Sequence, residues 1–249
     1  VTNGLKDKVA LITGGTSGIG RATALAMAAQ GMKVVFTGRR MPEGEAVVRE
    51  IEDAGGKAVF VRADVGLADD ADLMVRSTIE AFGRLDVAFN NSGVTGMPKP
   101  LAEQTEADFD AVMVPNLKGV WLSMRAEIRQ MLAQGKGGVI INNSSIYGKK
   151  GIAGSSNYVA SKHAVEGYTK AIAIELATTG IRVNAVAPGF IKTRLTDYPE
   201  AEKFMISQHA IPRIGHDWEV AQAVMFLASD AASFITGTIL PVDGGCLAK

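Results

Sequence analysis

Residues 9–20 read VALITGGTSGIG, and this stretch decides the fold. Val9–Thr13 is an apolar, β-branched run without polar alternation, as expected of a strand covered on both faces. Gly14-Gly15-Thr16-Ser17-Gly18-Ile19-Gly20 follows, and Gly18–Gln30 reads as a helix. The glycines permit a tight turn and let the backbone approach a ligand. The free N–H groups and the dipole at the helix start favour an anion such as a pyrophosphate. The spacing is Gly-x3-Gly-x-Gly, not the Gly-x-Gly-x2-Gly of the standard dinucleotide fingerprint. In its strand–turn–helix setting it is a candidate cofactor cradle, the alternative being a glycine-rich turn with no ligand.

The same alternation continues outward. Lys33–Thr37, Ala58–Arg62, Val87–Asn90, Gly138–Asn142 and Arg182–Ala187 read as strands, with a short one near Thr238–Val242. Helical stretches fall near Glu43–Ala54, Leu67–Phe82, Glu106–Gln134, Asn157–Thr178 and Asp217–Ala228. Strand–helix alternation over the whole chain predicts a doubly wound α/β fold, with chemistry on the edge where the strands end.

Composition narrows the function. The chain has 249 residues, enough to bury a core without staples. It carries 26 basic and 26 acidic residues, so bulk positive charge recommends neither nucleic acid nor an anionic membrane as partner. The single cysteine, Cys246, fits a reducing compartment. No apolar run approaches the roughly 18 residues of a membrane span. The N-terminal residues lack a signal-peptide layout. A cytoplasmic enzyme is the expectation.

After the second strand come Gly38, Arg39 and Arg40. A carboxylate here would bind the adenosine ribose and repel a 2′-phosphate, whereas arginine suits that phosphate. NADP(H) is therefore preferred, with NAD(H) as the alternative. Asp64 and Val65 follow the third strand, and Asn90-Asn91-Ser92-Gly93 the fourth. Asp64 could accept from an adenine amino group, and the Asn90–Gly93 turn could run beside the cofactor. Each is equally readable as a turn stabiliser.

The fifth strand delivers Asn142-Asn143-Ser144-Ser145 to the same edge, and Tyr158 comes thirteen residues after Ser145. Tyr158 and Lys162 stand at i and i+4 on one helix face. Of the four tyrosines, only Tyr158 has a lysine four residues on. The nearby cation, with an oxidised nicotinamide, is expected to lower the phenol's pKa toward that of a useful base.

Taken together, Thr13–Gly20, Asp64, Asn90–Gly93, Asn116, Ser145, Tyr158, Lys162 and Pro188-Gly189 make the chain resemble the short-chain dehydrogenase/reductase family over nearly its whole length. The resemblance implies a Rossmann-type three-layer αβα sandwich with a seven-stranded parallel sheet, as one domain over residues 1–249. It implies a tetrad of Asn116, Ser145, Tyr158 and Lys162 acting on a carbonyl or secondary alcohol that exchanges hydride with a nicotinamide. In that scheme Ser145 and Tyr158 hold the substrate oxygen and Tyr158 carries the proton. Lys162 tunes the phenol and binds the nicotinamide ribose, and Asn116 positions a water for proton refill. Implied cofactor contacts are Gly14, Thr16, Ser17, Gly18, Ile19, Gly20, Val65, Asn91, Ser92, Gly93, Pro188, Gly189, Ile191 and Thr193. Two departures stand out: Ser92, where alanine is usual, and Pro115 directly before Asn116, where proline removes a helix hydrogen bond.

Val94, Ile146, Tyr147, Ile152, Phe190 and Leu195 are candidate substrate-pocket walls. Residues 194–215, with weak periodicity and two prolines, read as a substrate lid. Lys149 and Lys150 flank the site, either as contacts or as solvated loop charges. His163, His209 and His216 lack metal-ligand spacing, so no metal is expected. The resemblance, which extends to Asp243-Gly244-Gly245, implies a homotetramer. The apolar segments Val220–Leu227 and Phe234–Leu240 would serve an interface or the core. Other functions weighed are an NAD-dependent dehydrogenase of a diol, sugar or steroid, and a 3-oxoacyl thioester reductase. A cofactor-sensing regulator without chemistry would lose Tyr158 or Lys162, and epimerase or dehydratase relatives need a larger substrate domain.

Overall fold

The computed structural model describes residues 4–197 and 199–249, Leu195 by its backbone alone. In chain order the main elements are β1 (Val9–Ile12), α1 (Gly18–Ala29), β2 (Lys33–Gly38), α2 (Met41–Asp53), β3 (Lys57–Arg62), α3 (Ala68–Phe82) and β4 (Val87–Asn90). Then come α4 (Glu106–Met113), α5 (Gly119–Gln134), β5 (Gly138–Asn143), α6 (Ser156–Glu175) and β6 (Ile181–Pro188). The remainder holds β7 (Ile191–Lys192), α7 (Glu202–Gln208), β8 (Gly215–His216), α8 (Asp217–Ala228) and β9 (Ile239–Val242).

Seven strands form one sheet in the order β3-β2-β1-β4-β5-β6-β9, every neighbouring pair parallel. Successive residues of β1 explain why the strands carry no polar alternation. Ala10 and Ile12 enter a core with Met27 of α1, Val47 of α2 and Val224 of α8. Leu11 enters the opposite core with Met74 of α3, Met131 of α5 and Val165 of α6. Side chains alternate across the sheet, and both faces are roofed by helices, so both parities must be apolar. The result is the expected three-layer α/β sandwich, with the strand ends of β1, β4, β5 and β6 on one edge.

The stretch expected as one helix over Glu106–Gln134 is divided. Thr105 and Asp108 form a capping box that starts α4, and the hydrogen bonds with Thr105 and Lys99 hold the Asp108 carboxyl down at about 2. Between α4 and α5 lies one π-helical turn, Val114–Lys118. Pro115 has no N–H to give, and the wider turn absorbs that loss while the helical path continues, with the Gly119 N–H donating to the Val114 carbonyl. Residues 194–215, read as weakly periodic, hold two short 3-10 turns and α7, and end at β8, which pairs with β7 just before the segment. Tyr198, inside that segment, lies outside the described residues. Val220–Leu227 belongs to the chain's own core, whereas Phe234 stands fully exposed. Among the described residues no helix is long and apolar enough to cross a membrane, and no cluster of three or more acidic, His or Cys side chains could hold a metal ion.

Candidate active site

The turn after β1 is braced by the turn after β4. Thr13 Oγ1 accepts from the backbone N–H groups of Asn91 and Ser92 at 3.0 and 3.1 Å. The Asn91 amide donates back to the carbonyls of Thr13 and Gly14, both at 3.1 Å. Gly20 does not face the cavity; its role is close approach. A Cβ there would stand 2.3 Å from the Gly14 carbonyl oxygen and 2.5 Å from the Asn91 amide. The three-glycine turn therefore leaves its N–H groups and the start of α1 open to a groove, as a bound pyrophosphate requires.

That groove belongs to a cavity of about 770 Å³ on the strand-end edge. From the cradle, Gly14, Thr16, Ser17, Gly18 and Ile19 line it. Arg39, Arg40, Asp64 and Val65 form one end, and Asn91, Ser92, Gly93 and Val94 the middle. Pro188, Gly189, Phe190, Ile191 and Thr193 form the far wall, with Ser145, Ile146, Tyr147, Ile152, Tyr158 and Lys162 above them. Leu195, expected in this wall, has its side chain outside the described residues. Thr95–Pro98 and Ser155, which the sequence reading missed, also line the cavity, as do Phe204 and Met205 of the expected lid. The first group lies in a loop without periodicity. The last two lie in α7, whose seven residues are too short for a clear helical pattern.

At the adenosine end the cations are already engaged. Arg39 faces Asp64 at 3.7 Å, and Arg40 pairs with Glu43 at 3.0 Å and donates to Thr16 Oγ1 at 3.4 Å. Gly38 ends β2 where a ribose-binding carboxylate would stand. A Cβ there would lie 2.7 Å from the Thr16 methyl, so this backbone admits no side chain without displacing Thr16. Asp64 Oδ1 accepts from the Gly66 N–H at 2.9 Å, a turn-stabilising role beside its place in the cavity wall.

At the other end three elements meet. β5 delivers Ser145, which caps a short 3-10 turn by accepting from the Tyr147 N–H at 3.2 Å. The first turns of α6 place the Tyr158 hydroxyl in a hydrogen bond with Ser145. Lys162, one turn on, is 3% exposed and donates to the Asn143 carbonyl at 2.7 Å, with its nitrogen 5.7 Å from the Tyr158 ring centre. The expected acidification includes the charge of an oxidised nicotinamide; the protein's own contribution is of the opposite sign. Burial pushes the Tyr158 phenol above its ordinary value, and the Ser145 hydrogen bond only partly opposes that rise. Burial also lowers the Lys162 amine to about 8. Helix spacing alone could not reveal this, because desolvation depends on what the rest of the fold lays over the pair.

Asn116 sits in the π turn, fully buried and outside the cavity wall, while Pro115 lines it. Its amide is committed to the loop after β4: Oδ1 accepts from the Val94 N–H and Nδ2 donates to the Val94 carbonyl, both at 2.8 Å. Nδ2 also reaches Ser161 Oγ at 3.2 Å. A Cβ on Gly93 would lie 3.2 Å from Asn116 Oδ1 and 3.6 Å from Lys162 Nζ, so the two side chains approach each other across that glycine. The Asn116 side chain thus clamps Val94 near Lys162.

The substrate end is aromatic. The ring of Tyr147 stands edge-on to those of Tyr158 and Phe190 at 6.3 and 6.2 Å, and Phe190 to Phe204 at 6.1 Å. Burial drives the Tyr147 phenol up to about 12, so it stays protonated. Lys149 turns away to Glu166 at 3.3 Å, and Lys150 to Cys246 Sγ at 3.0 Å. His209 is a structural pin: its Nδ1–H donates to the Arg213 carbonyl at 2.6 Å while Nε2 accepts from the Phe190 N–H at 3.1 Å. Both ring nitrogens are thus taken up by backbone groups.

Comparisons with known proteins identify relatives of this chain over nearly its full length. Residues 14–246 match the family model described as Enoyl-(Acyl carrier protein) reductase. The chain is 44% identical over 250 residues to a cyclohexanol dehydrogenase of Acinetobacter sp., covering 100% of this chain and 98% of that one. It is 46% identical over 243 residues to a 3-oxoacyl-[acyl-carrier-protein] reductase of Synechocystis sp., covering 97% of each. A short-chain type dehydrogenase/reductase from Mycobacterium marinum superposes with a TM-score of 0.95 at 35% identity, covering 98% of this chain and 97% of that one.

Proposed function

The chain belongs to the short-chain dehydrogenase/reductase family and is an NAD(P)-dependent oxidoreductase acting on CH–OH groups. From that premise we propose an NADP(H)-preferring carbonyl reductase or alcohol dehydrogenase whose substrate is a compact, apolar, alicyclic ketone or its secondary alcohol. One observation carries the chemistry: the Tyr158 hydroxyl, hydrogen-bonded to Ser145 with Lys162 one turn away, opens into the cavity that the glycine cradle also lines. When bound, the nicotinamide supplies or accepts the hydride.

The side chains do the rest. Ser145 and Tyr158 orient the substrate oxygen from two directions. Tyr158 donates its proton to the developing alkoxide and recovers it in the reverse sense. Lys162, held at the Asn143 carbonyl, places a charge beside the phenol and faces the cavity where ribose hydroxyls would lie. Asn116 acts as a positioning residue on Val94 and Gly93, next to Lys162. Arg39 and Arg40 favour a 2′-phosphate, exchanging Asp64 and Glu43 for it.

Two observations support the substrate class. The apolar side chains lining the cavity include Ile146, Tyr147, Ile152, Phe190 and Phe204, and both nearby lysines are turned to other partners. The cyclohexanol-oxidising relative fits such a pocket, while the acyl-carrier relatives keep a 3-oxoacyl thioester as the second reading. Residues 194–215 serve as a lid, with Phe204 and Met205 of α7 as its inner face. A homotetramer would cover Trp121 on α5 and Tyr168 and Ile174 on α6, all of which stand exposed. The experiment is a panel of cyclic ketones, cyclic alcohols and a 3-oxoacyl thioester with NADPH, NADH and their oxidised forms. Cyclohexanone-sized ketones with NADPH should be the best substrates, and a preference for the thioester would replace the alicyclic reading. Tyr158→Phe should bind NADPH normally and lose turnover by about 10³-fold.

A further inference from the structure

Below the active edge runs a polar line that the proposed chemistry does not use. β4 and β5 are in register at Asn90 and Asn142, both buried. The Asn90 amide donates to Asn142 Oδ1 at 3.2 Å and to Glu127 Oε2 on α5 at 3.0 Å. The Asn142 amide donates to Thr169 Oγ1 on α6 at 3.0 Å, and Thr169 Oγ1 donates to the Val165 carbonyl at 2.8 Å. The line therefore ties α5, through two strands, to the helix that carries Tyr158 and Lys162. Each strand asparagine directly precedes a residue of the site. Asn91 braces the cofactor turn, and the Asn143 carbonyl seats Lys162 at 2.7 Å.

Glu127 is 1% exposed. No charged side chain on α3, β4, β5 or α6 shifts its carboxyl; burial pushes it up to about 7 and the Asn90 hydrogen bond opposes only part of that. Lys162, the other titratable group of this network, is reached only through Asn90, Asn142 and Asn143. A buried carboxylate without a cation is strongly disfavoured against the acid form. The hydrogen bonding agrees. Glu127 Oε1, Asn90 Oδ1 and Ser123 Oγ are buried without partners. Two of these three are acceptors only, and protonation gives the carboxyl a donor of its own.

We infer that Glu127 is a positioning residue carried as the neutral acid, fixing the ends of β4 and β5 and, through them, the carbonyl that seats Lys162. The test uses the full chain as wild type, Glu127→Gln, which keeps shape and a donor, and Glu127→Leu. Infrared difference spectra of wild type against Glu127→Gln, recorded without substrate, should show a carboxylic-acid carbonyl band at about pH 5.5 that gives way to carboxylate bands by about pH 9. With NADPH and the best ketone, the kcat ratio of wild type to Glu127→Gln should be near one at the lower pH and fall at least about threefold at the higher. Glu127→Leu should lose about tenfold in kcat with a smaller change in KM.

Absence of the acid band at the lower pH overturns the inference, and so does a kcat ratio that ignores pH. If Glu127→Leu does not fold, the glutamine variant alone decides. The band is read without turnover, so its failure is distinct from a failure of the tetrad, which Tyr158→Phe reports.

Discussion

Exchanging Glu127 for glutamine should stabilise the protein above neutral pH and leave it nearly unchanged in acid. Burial lifts the carboxyl from 4.5 to about 7 in the folded chain. Below about pH 4.5 both folded and unfolded chains hold the proton, and the group adds no pH dependence. Between the two values only the folded chain binds it, so stability falls as pH rises. Above about 7 the folded chain must carry a buried carboxylate or surrender structure. At about 1.4 kcal/mol for each tenfold in proton affinity, the loss across that window is about 3 kcal/mol. Glutamine cannot ionise and escapes it. For a chain of this size, about 2–4 °C per kcal/mol converts the difference into a relative gain of about 6–12 °C in Tm between pH 4.5 and 8. Thermal or urea unfolding of both proteins, followed by circular dichroism across that range, gives the answer. Any constant offset from the substitution cancels in the comparison. A difference that stays flat with pH, or that favours wild type at pH 8, would refute an unpaired buried carboxyl at this position.

Other expectations follow from single contacts. Arg39→Ala should raise KM for NADPH by about tenfold and leave NADH nearly unaffected, because the exposed guanidinium answers only to Asp64 and an incoming phosphate; equal loss with both cofactors removes the 2′-phosphate reading. Gly20→Ala drives a methyl to 2.3 Å from the Gly14 carbonyl, and should cost about 1–3 kcal/mol in stability and sharply weaken cofactor binding in fluorescence titration. His209→Ala strips the Phe190 N–H of its acceptor and should lower stability by about 1–3 kcal/mol while raising KM for the ketone; an unchanged KM would detach His209 from the pocket wall. For wild type, the rate of alcohol oxidation should climb with pH through the region near 8 where Lys162 titrates, while ketone reduction should decline there. Parallel profiles in both directions would contradict the proton role given to the Tyr158–Lys162 pair.

Much of this was legible because it is local. Buried parallel strands are read off as apolar runs, and the glycine spacing states its own turn. Residues that follow a strand land on the strand-end edge whatever else the chain does, which is why Ser145, Asn91 and Asp64 line the cavity there. What escaped depends on depth and on partners distant in sequence. Pro115 announced a kink in the long helix, but not that one widened turn would preserve the path and bury Asn116 against Val94. A glutamate within a helix of mixed charge looks solvated, and nothing near Glu127 in the sequence says that α5 turns it toward Asn90. The lid over residues 194–215 was read as a segment, but the seven residues of α7 are too few for a pattern to single out Phe204 and Met205.

The phenol decides how the site works. The expected lowering of its pKa includes an oxidised nicotinamide beside it; within the protein alone, burial raises Tyr158 and brings Lys162 down to about 8. A protonated phenol beside an amine that titrates just above neutrality is poised to give a proton away, as reduction of a carbonyl requires. The seat of Lys162 fits this balance. Its nitrogen donates to a neutral backbone carbonyl, not to a carboxylate. A carboxylate there would have fixed the ammonium and drawn its field from the phenol. The Asn143 carbonyl holds the amine in place and leaves its proton close to neutral exchange. In the proposed reaction the position of that one peptide oxygen, set by the β5 register and the asparagine before it, governs how readily the buried phenol regains its proton.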